Sequence, residues 1–160
     1  MRRLLFSGGV AVAALLLVPS CEVENCPPNA LSYACFNLKD ANGRNVSFTS
    51  AVSVIGETEA GGKDTIVNKQ ANAQSFSLPL SYADQTRFIL VYPDQTTDTI
   101  TVTHRNIPHF MNIDCGSMMF HEVQAVQTTR HLIDSIVITN PHIDNNEKEN
   151  FQIYFPAVAD

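Results

Sequence analysis

The sequence predicts an all-β fold, a single antiparallel β-sandwich of about eight or nine strands. Two observations lead to this prediction. Apolar residues recur at every second position in several short runs, which places them on one face of a strand. Turn-forming residues separate these runs at spacings of about 8–15 residues. The sequence contains no stretch with the periodicity and capping residues of a long helix.

Most of the predicted strands show alternation of apolar and polar residues, which is typical of a half-buried strand. The run 86–92 is almost continuously apolar and is suited to burial on both faces, and 133–138 is rich in β-branched residues. Pro79 interrupts one run, so that strand is expected at a sheet edge or at a bulge. In chain order the runs are 31–38, 46–54, 76–82, 86–92, 100–102, 119–125, 133–138 and 151–155.

The chain length of 160 residues corresponds to about one domain. We expect the β-sandwich, of immunoglobulin-like or transthyretin-like type, to span residues 31–156. The polar stretch 140–150 is expected to be a loop. The clearest turn signals are Asn42-Gly43, Gly61-Gly62, Pro93-Asp94, Asp114-Cys115-Gly116 and Asn140-Pro141.

The charge balance excludes some classes of partner. The full chain carries a net charge of −6, and removal of Arg2 and Arg3 with a leader would take it from −6 to −8. Binding to nucleic acid needs clustered Lys and Arg, and so does attachment to a membrane through a basic patch. We therefore expect neither kind of binding.

The N-terminus has the features of an export signal. Met1-Arg2-Arg3 is a positive segment, and the uncharged, largely apolar run 4–18 is too short to span a bilayer comfortably. The run ends in Val18-Pro19-Ser20-Cys21, which resembles a bacterial lipobox. That resemblance implies a signal peptide at 1–20, acylation of Cys21, and a polar tether at 21–30. An ordinary cleaved signal followed by a structural Cys21 is the alternative.

Three cysteines remain if Cys21 carries lipid, which suggests one disulfide and one free thiol in an oxidising compartment. Cys35 lies within a predicted strand, where the pleat fixes its direction, whereas Cys26 and Cys115 lie in predicted loops that are free to adopt bridging geometry. We therefore expect a Cys26–Cys115 disulfide, with Cys26–Cys35 as the alternative. No CxxC motif supports a redox or zinc site.

A tripeptide of Asp, a hydroxyl residue and Ile occurs three times, at 64–66, 98–100 and 134–136. Local chemistry explains it if Asp ends a turn, the hydroxyl residue faces solvent and Ile enters the core. The tripeptide also resembles the O-glycosylation acceptor motif that Bacteroides-type bacteria use on exported proteins. That resemblance implies candidate O-glycosylation at Thr65, Thr99 and Ser135.

The histidines do not form a recognisable metal-ligand or catalytic motif. His104 and His109 flank 105–108, which is typical of a strand end and a loop, and His121 is expected on a strand face at the edge of the core. The five histidines are His104, His109, His121, His131 and His142.

No other pattern points to chemistry strongly enough to predict a site. The acidic stretches 40–45 and 144–149 could supply oxygen ligands to calcium, but the first is explained by an Asn-Gly hairpin turn. Motifs for nucleophilic catalysis and glycine-rich phosphate loops are absent from the sequence. We therefore expect no catalytic residues, no metal and no cofactor.

Several segments of the chain together resemble a small uncharacterised family of Bacteroidota lipoproteins. The segments that carry this resemblance are 26–30, 76–82, 114–116 and 145–150. The resemblance implies a β-rich domain in the cell envelope and brings no known activity. We expect the protein to be lipid-anchored at the outer membrane, on either its periplasmic or its surface face. We therefore expect a non-catalytic structural, assembly or binding role, with an envelope protein or a glycan as partner. A carbohydrate- or calcium-binding module is the first alternative and a small hydrolase the second.

Overall fold

The computed structural model describes residue 26 and residues 31–58 and 60–156. These residues form ten strands and no helix, and none of their segments could cross a bilayer as a helix. The strands are β1 (Tyr33–Lys39), β2 (Val52–Glu57), β3 (Lys63–Gln70), β4 (Ser75–Pro79), β5 (Gln85–Val91), β6 (Thr97–Asn112), β7 (Gly116–Thr128), β8 (Ser135–Ile138), β9 (His142–Ile143) and β10 (Glu149–Tyr154).

The strands form two sheets that enclose one core, so the predicted all-β sandwich is confirmed. One sheet has the order β4-β1-β10-β8 and the other the order β3-β2-β5-β6-β7-β9. One pair departs from the predicted antiparallel arrangement, because β1 and β10 run parallel. All the other neighbouring pairs of strands are antiparallel. The parallel pair brings the first and last strands together in the middle of the smaller sheet.

Two strands account for the difference between the expected and observed strand number. β3 is exposed along nearly its whole length, so its sequence shows no apolar alternation. β9 has only two residues and lies inside the stretch that was expected to be a loop. Pro79 ends β4, which pairs with β1 alone. It therefore lies on an edge strand, where proline is tolerated.

Aromatic side chains from both sheets meet in the centre of the sandwich. Phe36 of β1 stacks on Phe151 of β10 with ring centroids 4.4 Å apart, and Phe88 of β5 meets Phe36 edge-on at 5.9 Å. All three are fully buried. Burial of a Phe side chain contributes about 2–3 kcal/mol, so this cluster is a main source of cohesion between the two sheets.

β6 and β7 form a hairpin that is much longer than its neighbours. β5 pairs with β6 only as far as Thr103, whereas the pairing of β6 with β7 continues to Asn112. The expectation of a strand end and loop at 105–108 is wrong, because β6 passes through it without a break. Pro108 is tolerated there, since β6 has no strand partner on its other side beyond Thr103.

Candidate functional site

A disulfide joins Cys26 to Cys115 and ties the N-terminal end of the domain to the turn of the long hairpin. The two Cα atoms are 5.3 Å apart, and the residues are separated by 89 positions in sequence. This is the pairing that the sequence favoured over Cys26–Cys35. Cys35 is free and buried in β1, where burial raises the pKa of its thiol. The disulfide therefore fixes where the chain from the N-terminus meets the domain.

The end of the β6–β7 hairpin, residues 107–120, is called the hairpin tip here. Beyond the pair Asn106–His121 the two strands have mainly each other as partners, with one isolated bridge from Leu31 to Met119. The Asn112 side chain accepts a hydrogen bond of 2.6 Å from the backbone N–H of Cys115. Gly116 follows with a φ of 72°, a left-handed conformation that glycine adopts without strain.

The hairpin tip exposes apolar side chains. Ile113 is 93% exposed and Phe110 is 63% exposed. Next to them, His109 stacks on Phe120 with ring centroids 4.5 Å apart. Asp114 is the only formally charged residue of the tip. Large apolar side chains with this exposure and so little charge around them are typical of an interaction surface.

At the base of the hairpin tip lies a buried pair of histidines. His104 is 1% exposed and His121 is 3% exposed, and their rings meet edge-on with centroids 5.0 Å apart. The structure thus brings together two of the five candidate histidines. His109, His131 and His142 are exposed on other parts of the surface.

Hydrogen bonds settle which nitrogen of each ring carries the proton. The amide nitrogen of Asn106 donates to the carbonyls of Tyr82 and Ala83, so its oxygen faces His121 and accepts from Nδ1 at 2.8 Å. The Thr86 hydroxyl donates to Ser81.

The hydrogen bond between His104 and Thr86 determines the tautomer of His104. Because the hydroxyl proton of Thr86 is directed at Ser81, Nε2 of His104 donates to Thr86 Oγ1 at 2.9 Å. Nδ1 of His104 is then an acceptor, and it is buried without a hydrogen-bond partner.

Both histidines are held neutral by their surroundings. Burial lowers the pKa of His104. Burial lowers the pKa of His121 to about 4, and the nearby His104 adds to this effect. Two histidines alone are fewer than the three or four protein ligands that zinc sites use. Across the described part of the chain, no three His, Cys, Asp or Glu side chains gather as a metal site would require.

Asp98 is a buried carboxylate that sequence reasoning did not single out as special. Its side chain is fully buried, and it accepts five hydrogen bonds from the loop between β7 and β8 and from the core. Burial alone would raise the pKa of Asp98, but the backbone N–H groups of the loop outweigh it and lower the pKa. The donors are the hydroxyls of Tyr92 and Thr129 and the backbone N–H groups of His131, Leu132 and Ile133.

The three Asp-hydroxyl-Ile tripeptides differ in structure. The expectation that Ile enters the core holds for Ile100, which is fully buried, but is wrong for Ile66, which is 37% exposed on the edge strand β3. The expectation that Asp ends a solvated turn is wrong for Asp98. Burial of this carboxylate is possible because the loop after β7 supplies its donors.

The candidate glycosylation positions lie far from the hairpin tip. Thr65 and Thr99 occupy one row of the larger sheet through the pairs Thr65–Ile55, Ile55–Ile89 and Ile89–Thr99. Thr65 is exposed and Thr99 is half-buried. Ser135, also half-buried, starts β8 just after the loop that binds Asp98. All three therefore lie toward the end of the sandwich opposite the hairpin tip.

A shallow polar depression of about 240 Å³ opens beside Thr99 on the outer face of the larger sheet. Its side chains offer hydroxyl, amide and guanidinium groups, and none of them is aromatic. Such a surface can hydrogen-bond a polar ligand such as a glycan. The lining residues are Arg87, Thr99, Thr101, Gln127, Thr128 and Thr129.

The aspartates that begin the two acidic stretches 40–45 and 144–149 direct their carboxylates at N–H groups. Asp40 accepts from the backbone of Asn42 and Arg44 and pairs with the Arg44 guanidinium at 2.6 Å. Asp144 accepts from the backbone and the side-chain amide of Asn146. These contacts stabilise turns, and they leave the carboxylates poorly placed to coordinate a cation.

The expected signal peptide and Cys21 lie outside the described residues.

The comparisons with known proteins give a family and no function. A family model described as a family of unknown function, DUF6452, matches residues 51–155. No curated protein and no solved structure matches the chain. Since the match covers well over half of the sequence, the chain belongs to the DUF6452 family of unknown function.

Proposed function

We propose that this protein is a lipid-anchored protein of the bacterial cell envelope, with a non-catalytic structural, assembly or binding role. In this proposal residues 1–20 are a signal peptide, Cys21 carries the lipid, and 21–30 form a tether. The outer membrane of a Bacteroidota bacterium is the proposed location, in agreement with the sequence resemblance to lipoproteins of that group.

The Cys26–Cys115 disulfide is the observation that carries the proposal. Disulfides persist in oxidising compartments and are rare in the cytosol. The bond closes a loop of 89 residues, so it supports export independently of the N-terminal sequence pattern. It also begins only five residues after Cys21, which makes the N-terminal segment a short link between the lipid and the folded domain.

The buried polar groups support a role without catalysis. A catalytic base must reach the proton that it removes, but His104, His121 and Thr86 are all buried beneath the sheet surface. Asp98 is saturated with hydrogen bonds from its own loop. These groups are explained by stabilisation of the fold, which leaves the surfaces of the domain to carry its function.

A pair of cysteine variants tests the anchor. Cys21→Ala removes the proposed acylation site, and we expect the variant to move from the membrane fraction to the soluble fraction and to lose incorporation of labelled fatty acid. Cys35→Ala is the matched control, because it also replaces a cysteine that is not part of the disulfide, and it should leave both properties unchanged. Membrane retention of the Cys21→Ala variant with unchanged labelling would overturn the proposal.

Glycan binding is the second candidate function, and the polar depression beside Thr99 favours it. We expect Arg87→Gln to abolish any stabilisation of the domain by a bound oligosaccharide in a thermal-shift screen. Arg105→Gln is the control, because Arg105 is also exposed and also pairs with a glutamate, Glu122, but lies outside the depression. A panel of glycans that shifts the melting temperature of neither form would count against this candidate.

A further inference from the structure

We propose that the hairpin tip, residues 107–120, is a membrane-contacting element that inserts Phe110 and Ile113 into the lipid interface. The inference depends on the proposed lipid anchor at Cys21 and goes beyond it, because it assigns a specific surface of the domain to the bilayer. Three observations carry it: the covalent path from Cys21, the shape of the hairpin, and the side chains at its end.

The covalent path keeps the tip close to the acyl chains. Cys26 follows Cys21 by five positions, and an extended chain of that length spans at most about 18 Å. The disulfide then adds 5.3 Å between the Cα atoms of Cys26 and Cys115. The turn of the hairpin is therefore held within about 23 Å of the residue that carries the lipid, whatever conformation the link adopts.

The hairpin projects beyond the body of the sandwich toward the same end. About six residues of β6 continue past Asn106, which corresponds to about 20 Å of strand. Thr99, the member of the row with Thr65 that lies on β6, precedes Ile113 by about 14 positions. In an extended strand this corresponds to a distance on the order of 45 Å. The domain thus has one end tied to the anchor and a remote end.

The side chains of the tip fit a lipid interface. Ile113 and Phe110 are among the most exposed large apolar residues of the described chain, at 93% and 63%. Exposure of such side chains to water is unfavourable, and transfer to an apolar phase is favourable for residues of this size. The single carboxylate of Asp114 is at the turn, and no lysine or arginine is present in 107–120. Contact with lipid would therefore be driven by apolar burial rather than by attraction to anionic headgroups.

The natural sequence contains no tryptophan, so one introduced indole reports on its own surroundings. The test uses the full acylated protein in phosphatidylcholine vesicles, with Ile113→Trp as the probe and Phe110→Trp as a second probe at the same tip. Ile66→Trp is the matched control, because Ile66 is also an exposed isoleucine on a strand but lies next to Thr65, far from the hairpin tip. Melting temperature and disulfide content are compared with the natural protein to show that each variant folds.

We expect both tip probes to shift to shorter emission wavelengths and to be quenched several-fold more strongly by brominated lipids than the Ile66→Trp control. Protein that floats with the vesicles while its tip probes stay unquenched would overturn the inference and leave the lipid anchor intact. A concentration-dependent wavelength shift without lipid quenching would show that a second copy covers the tip, and would also overturn it. Protein that does not float would remove the anchor and this inference together.

Discussion

The hydroxyl of Tyr92 donates a hydrogen bond of 3.2 Å to the buried carboxylate of Asp98. Negative charge at Asp98 and burial together raise the pKa of Tyr92, with burial the larger cause. The phenol therefore stays protonated and remains a donor. Through Asp98, the hairpin at 92–98 is joined to the loop that leads from β7 into β8.

We expect Asp98→Asn to destabilise the protein by about 2–4 kcal/mol. The amide has one acceptor oxygen in place of two, and its NH₂ group would face donors such as the backbone N–H groups of Leu132 and Ile133. Urea unfolding followed by circular dichroism measures the loss.

Asp94→Asn is the control for this substitution, because Asp94 is exposed and accepts hydrogen bonds from the nearby Thr96. It should shift the urea midpoint much less. Equal shifts for the two variants would show that the hydrogen bonds to Asp98 do not stabilise the fold as inferred.

Stability should fall as the pH is lowered below 6.5. The pKa of His121 is about 4 in the folded protein and 6.5 in an unconstrained chain, so the unfolded state binds more protons between these values. Stability therefore rises with pH across this window and is lost as pH decreases through it. For His121 alone the loss between pH 7.5 and pH 5 is about 2 kcal/mol.

Urea midpoints at several pH values test this dependence, with His121→Gln as the variant. Glutamine can still donate to Asn106 but does not titrate, so the slope below pH 6.5 should become shallower. His142→Gln is the matched control, because His142 is exposed. Asp98 adds little in this range, since its pKa is already lowered from 3.8. If the urea midpoint of the His121→Gln variant kept the same slope against pH, the inference that His121 is buried and neutral would be wrong.

Reduction of the Cys26–Cys115 disulfide should destabilise the domain substantially. In the chain-entropy model, a closed loop of this length accounts for about 4–5 kcal/mol as an upper value. We expect the urea midpoint to drop on addition of reductant, and the Cys26→Ala/Cys115→Ala variant to show that lower midpoint with or without reductant. Cys35→Ala should keep the full response to reductant, since Cys35 is free.

Truncation of a buried phenylalanine should destabilise the protein far more than truncation of an exposed one. Phe36→Ala removes a fully buried ring that contacts Phe88 and Phe151, and should cost about 3–5 kcal/mol. Phe110→Ala, at the exposed hairpin tip, should change stability by less than about 0.5 kcal/mol. Comparable losses for the two would mean that the tip is packed in solution and is not a free surface.

The sequence was sufficient to predict the fold class and the disulfide because both depend on local patterns. Alternating apolar residues mark the faces of strands such as β5, and turn chemistry separates the strands. The parallel pairing of β1 with β10 was not predictable, because it joins residues more than a hundred positions apart and no local pattern encodes it. β3 was missed since its exposed residues lack the alternation that reveals a strand.

The features of the candidate site were only partly visible in the sequence. The alternation around His121 predicts its position at the edge of the core, and the structure buries it there. The segment 105–108 predicts a strand end after His104, whereas β6 continues through it. The burial of Asp98 depends on a loop 31–35 positions away, so the repeated tripeptide was the only available signal. Ile113 and Phe110 became notable only when the structure showed their exposure.

Mass spectrometry of the N-terminal peptide of the native protein, extracted from membranes, tests the central claim most directly. We expect a peptide that begins at Cys21 and carries the added mass of fatty acyl chains. A peptide that begins at Met1, or an unmodified Cys21 in a protein recovered from the soluble fraction, would contradict the lipid anchor and the envelope role built on it.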